Sequence, residues 1–146
     1  MPFDRELIEA QLALDLIPST DMPKMAIEAL EAGFDGPAVT RLAVLDSPTY
    51  FEVMEVLPRA KQEMGLAQVA VPQAALRIAK RIASQILAGG EDPLLHVRDF
   101  EGLWIRAGYP RELASVGTLY DDLFISNASD AENREFVITA LQDLLR

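Results

Sequence analysis

Asp92, His96 and Asp99 come nearest, in type and spacing, to an ordinary chemical site in this chain. On a helix they lie about one turn apart on one face, and they offer oxygen, nitrogen and oxygen to a divalent cation. A metal held there would serve a carboxylate-based hydrolase or lyase. The same residues also have a plainer reading. Asp92 directly precedes Pro93, which is the arrangement of a helix N-cap followed by proline in the first turn. A metal site of this type also recruits ligands from a second helix.

Other constellations are less complete. Glu28 with Glu31 and Glu52 with Glu55 are carboxylate pairs at i, i+3, but helical carboxylate–metal proteins need Glu-x-x-His twice, and the chain has a single histidine. Solvated helix faces account for these pairs. Asp121-Asp122 and Glu91-Asp92 are adjacent acids, and neighbours on a helix point about 100° apart, so neither pair converges on one substrate atom. Gly89-Gly90 stands before a helix, yet Glu91 and Asp92 occupy the place where a phosphate would lie. No nucleophile elbow, Ser–His–Asp order or His-Glu-x-x-His is present. With no cysteine, disulfides, thiolate zinc sites, iron–sulfur ligation and thiol nucleophiles are all excluded. No cofactor is expected.

The most informative charge feature is Arg77, Lys80 and Arg81, a basic face in a stretch that carries no acid between Pro72 and Gly90. Three like charges within one turn repel. They require an acidic neighbouring helix, an acidic partner or an anion, which makes them the candidate binding residues.

The elements that must position these groups read as about eight short helices with tight Gly/Pro connections. The first opens at Asp4 and closes before Pro18, and Ser19-Thr20-Asp21 caps a second that ends at Gly33. A short third helix follows Asp35-Gly36-Pro37. Ser47-Pro48 starts a fourth, on whose stripe Tyr50, Val53, Met54, Leu57, Ala60 and Met64 recur, with Pro58 forcing a kink or a split. Pro72 to Leu87 forms a fifth. Asp92-Pro93 opens a sixth, in which Gly102 is expected to allow a close backbone approach. Pro110 begins a seventh with Leu113, Tyr120 and Phe124 inward, and Ser129 to Glu132 is a capping box ahead of the last. Tyr50, Phe51, Phe100 and Trp104 are expected as core anchors. The segment LAQVAV, 66–71, is the one strand candidate and has no partner run. No linker composition or repeat appears, so a single all-α domain over 1–146 is expected.

At 146 residues and 50% hydrophobic content, the chain can bury a core without disulfide or metal. Its formal net charge of −10 repels phosphate backbones and anionic lipid surfaces, which argues against nucleic-acid and membrane partners. The acidic opening MPFDRELIEA does not read as an export signal. The longest charge-free window is thirteen residues, Met64 to Leu76, short of the roughly 20 that span a bilayer. A soluble cytoplasmic protein is expected.

The runs LALDLIPSTDMPKMAIEAL (12–30), EALEAGFDGPAVTRLAVLDSPTYFEVMEVLPRAKQEMGL (28–66) and ALRIAKRIASQILAGGEDPLLHVRDFEGLWIRAG (75–108) resemble a group of small acidic all-α bacterial proteins. The resemblance lies in helix starts, stops and core stripes. It implies a bacterial origin and a small helical domain, and it carries over no catalytic or binding residue.

With so few catalytic residue types and so acidic a surface, the chain is expected to bind rather than to transform. The expected partner is a protein with a basic surface, which complementary charge would steer and select. A small acidic protein that masks a basic nuclease or toxin, as an immunity protein does, fits this description at the level of charge and fold, and self-association stays open. Two alternatives stand beside it. One is the metal-dependent hydrolase on Asp92, His96 and Asp99. The other is a small-molecule sensor with an apolar pocket at Pro58, where Arg77, Lys80 and Arg81 would orient an anion.

Overall fold

The computed structural model describes residues 3–146. Met1 and Pro2, which open the stretch read for an export signal, lie outside the described residues. Every regular element among the described residues is helical, and none is a strand. No helix among them is long and apolar enough to cross a membrane. Although the sequence shows no linker, the chain divides into two compact units, the first ending at Val69 and the second spanning Ala70–Arg146.

The first unit contains α1 (Arg5–Ala13), a 3-10 turn (Ser19–Asp21), α2 (Met22–Glu31), α3 (Pro37–Ala43) and α4 (Tyr50–Glu63). Asp4 caps α1 as expected, accepting from the Leu7 amide at 3.2 Å. The helix stops at Ala13, well before Pro18, because Asp15 takes a left-handed conformation with φ 54°. α4 starts from Thr49 rather than from Ser47, whose own φ is 41°. The Thr49 hydroxyl accepts from the Glu52 amide at 3.3 Å, and the Glu52 carboxylate accepts from the Thr49 amide at 3.1 Å, a reciprocal cap.

Pro58 neither splits α4 nor ends it. Its ring lies on the exposed side of the helix, where water can reach the carbonyl that its missing amide leaves without a donor. The core of this unit joins Ile8, Met25, Ala26, Ala29, Val39, Leu42, Val53, Val56, Ala60 and Met64.

α3 has only seven residues and no local side-chain cap. Its first amides are satisfied from a distance: Ala38 and Val39 donate to the two oxygens of Glu63, at 3.2 and 2.9 Å, from the far end of α4. Gly36 makes room for this carboxylate, since a Cβ there would overlap it.

The second unit contains α5 (Val71–Gly89), a 3-10 turn (Pro93–His96), α6 (Val97–Arg106), a 3-10 turn (Arg111–Leu113), α7 (Ala114–Gly117), α8 (Leu119–Phe124) and α9 (Asp130–Leu144). Gly90 closes α5 with φ 68°, the left-handed position that glycine adopts without strain. Phe100, Leu113, Val116, Leu119, Val137 and Leu141 are fully buried.

The close backbone approach expected at Gly102 occurs elsewhere. Gly102 faces open space, whereas a Cβ on Gly117 would overlap the Trp104 ring. Trp104 is half-buried, stacked edge-on with Tyr109 at 5.0 Å between ring centroids, and its indole N–H donates to the Pro110 carbonyl at 3.2 Å. The ring is thus held from two sides.

Gly117→Ala should therefore destabilise the second unit by about 1–3 kcal/mol, the usual cost of overpacking, while Gly102→Ala should be neutral or stabilising. Urea unfolding followed by the fluorescence of Trp104, the single tryptophan, measures both. In the first unit, Gly36→Ala should displace Glu63 and speed hydrogen exchange at the Ala38 and Val39 amides.

Candidate functional site

The residues proposed as a metal site meet on the turn between α5 and α6, but not as a ligand set. Asp92 caps this turn, accepting from the Leu94 amide at 3.1 Å. Its two oxygens also accept from the Arg134 guanidinium on α9, from Nε at 3.1 Å and from Nη2 at 3.3 Å. The bond from Arg134 and then that from Leu94 hold the Asp92 carboxyl below its ordinary range, and the same contact raises Arg134.

His96 lies instead between two other acids. Its Nδ1 is 3.1 Å from Asp99 Oδ2, and its Nε2 is 3.4 Å from Glu91 Oε2. Both ring nitrogens already face carboxylates, and Asp92 is engaged by a cation. Among the described residues, no group of three or more His, Asp or Glu side chains is placed to hold a metal ion. Glu91 was absent from the sequence constellation, because its approach to His96 depends on the turn and not on helical spacing.

On α5, Arg77 and Lys80 are half-buried and Arg81 is exposed. Arg77 and Arg81 are each already engaged. Of the stripe that helical spacing places inward on this helix, Ala75, Ile78, Ile82 and Ile86, Ile82 is half-buried and the other three are buried.

Several aromatic residues expected in the core are on the surface. Tyr50 and Phe51 are 58% and 79% exposed, with their rings edge-to-face at 5.8 Å between centroids. Capping at Thr49 explains their position, because it makes Tyr50 and Phe51 the first residues of α4, before the helix reaches its neighbours. Phe124, expected inward, is 79% exposed, and Ile125 beside it is 78% exposed. Here the expected seventh helix breaks into α7 and α8, and the turn at Thr118 changes the face that the next residues present.

Phe124 and Ile125 lie at the corner where α8 passes into α9. Ser126 Oγ donates to Asn133 Oδ1 at 3.0 Å. That bond ties the segment bearing Phe124 and Ile125 to the turn of α9 that carries half-exposed Phe136. Asp121 and Asp122 on α8 and Asp130, Glu132 and Glu135 on α9 are all exposed as well. Arg134, the only basic residue between Leu119 and Phe136, is taken by Asp92.

The first unit carries a groove of about 270 Å³ along α4, lined by Met54, Leu57, Pro58, Lys61, Gln62, Leu66 and Gln68. Proline in the sequence pointed to this place, but the cation lining it is Lys61. Arg77, Lys80 and Arg81 belong to α5 of the second unit. Comparison with protein-family models, with curated proteins and with solved structures gives no match.

The Asp92–Arg134 pair predicts a defined acid response. Because the folded-state pKa of Asp92 is depressed, its contribution is present above the ordinary aspartate value and is lost as pH falls through the folded value. Asp92→Asn keeps a capping oxygen but removes the charge. The stability gap between wild type and this variant, measured by urea unfolding, should be level near neutrality and close in acid. A gap that persists once all carboxyls are protonated would show that the ion pair is not its source.

Proposed function

We propose that this chain is a non-catalytic interaction protein whose partner is a protein with a basic surface. The observation that carries the reading is the corner from α8 into α9, a stretch that exposes Phe124, Ile125 and Phe136 together with Asp121, Asp122, Asp130, Glu132 and Glu135, its two segments tied by Ser126 and Asn133. Large side chains in such a setting supply the apolar centre of an interface, and the acids of the same stretch supply the charged rim. Complementary charge at the rim accelerates encounter and rejects acidic competitors.

Catalysis is less well supported by the geometry. His96 has a carboxylate near each ring nitrogen and Asp92 is bonded to Arg134, and among the described residues no metal ligand set is assembled around them. The basic face of Arg77, Lys80 and Arg81 carries the opposite sign and suits an acidic partner or an anion instead.

The test is isolation of the tagged chain from its source cells, with mild crosslinking, at low and at high salt. The expected result is a stoichiometric basic chain that is recovered less as salt rises and is lost in Phe124→Ser/Phe136→Ser, a variant that keeps its helical circular dichroism. Recovery of the same partner by that variant would remove this corner from the interface. A bare chain under every condition would count against the interaction reading as a whole.

A further inference from the structure

The groove beside Pro58 is preformed. After α4 the chain reverses at Gly65, φ 63°, with Gly65 N donating to the Gln62 carbonyl at 3.1 Å and Leu66 N to the Lys61 carbonyl at 3.0 Å. The next amide, that of Ala67, donates to the buried carboxylate of Glu9 at 2.6 Å. The wall formed by Leu66 and Gln68 is therefore tied by hydrogen bonds to the end of α4 and, through Ala67, to α1, which lowers the ordering cost of binding a ligand there.

Size and lining narrow what can enter. The groove's volume of about 270 Å³ compares with the roughly 150 Å³ of an apolar cavity that takes up benzene. Met54, Leu57, Pro58 and Leu66 supply an apolar floor, and the unbranched Met54 side chain adapts to irregular shapes.

Charge narrows it further. Lys61 is half-buried on this groove, and among the described residues no carboxylate lies within ion-pair distance of its ammonium group. Lys61 is also the only cation among the residues that line the groove. The stem of Lys61 lies along the apolar floor while its head group stays available at the rim.

We propose that this groove binds a small apolar monocarboxylate, a medium-length aliphatic chain or a single aromatic ring bearing one carboxylate. The tail rests on Met54, Leu57, Pro58 and Leu66, and the carboxylate is paired with the Lys61 ammonium. The net charge of −10 sharpens the prediction, because the field of the whole molecule attracts cations and repels anions. A preference for the anion has to come from a local group, and Lys61 is that group. The site is independent of the partner surface between α8 and α9, so either can fail without the other.

Octanoate, octylammonium and octanol titrated into the full chain, with backbone amide shifts recorded by NMR, test this directly. The expected result is that octanoate moves the Met54, Lys61, Leu66 and Gln68 amides and binds roughly tenfold more tightly than octylammonium. Lys61→Met should lose that preference while octanol binding is kept, and Lys61→Arg should retain it. The proposal is overturned if octylammonium binds as well as octanoate, if no probe moves these amides, or if Lys61→Met binds octanoate with unchanged affinity and an unchanged spectrum elsewhere.

Discussion

In the first unit, the Glu63 carboxylate seated on the opening amides of α3 is the contact on which the surrounding packing depends. A short helix leaves its first amides without intrahelical partners and gains little from propagation, so its ends decide whether it forms. Here the end of α4 supplies the cap for the start of α3. The placement of Val39 and Leu42 in the core therefore depends on a charge more than twenty positions away in sequence. Gly36 is part of the same device, because only a residue without a side chain leaves space for the carboxylate.

The same requirement recurs through the molecule, since a chain built of short helices has many ends to satisfy. Asp4, Thr49, Asp92 and Ser129 meet it locally, each accepting from an amide two or three residues on. Glu63 meets it over a long sequence distance, and Glu9 does the same service for the Ala67 amide in the segment between α4 and α5. Part of the acidic excess is thus structural. Asp92 serves in two ways, as cap and as partner of Arg134, and this double engagement removes it from the chemistry that its spacing with His96 suggested.

Shortness of helices also shapes the surface. A long amphipathic helix such as α5 buries a continuous stripe, Ala75, Ile78, Ala79 and Ile86. Where a run breaks into pieces, as at α7 and α8, each break rotates the next segment and leaves apolar residues outside. Scattered exposed apolar side chains are ordinary, while several exposed on one short stretch rich in exposed acids have the composition of an interface. The groove on α4 arises differently. Proline on the exposed side of the helix and a hydrogen-bonded return after it leave a gap that no side chain of the unit fills.

By itself, the sequence determined the all-helical class, the order of the elements and most of their local stops and starts. Those features rest on interactions within a few residues: Asp4 and Ser129 as caps, Gly33 and Gly90 after helices, the 3.6-residue stripe of α5. The sequence also located the cap at Asp92. Only the tertiary structure decided that Gly117, not Gly102, is the tight glycine, that Arg134 takes Asp92 while Glu91 approaches His96, and that Phe51 and Phe124 face outward. Each of these depends on which face of a helix meets another element, and a one-residue change in where a helix begins rotates that face by about 100°. Local chemistry specifies the elements, while long-range contacts such as those of Glu63 and Arg134 specify which side of each element is available to a partner.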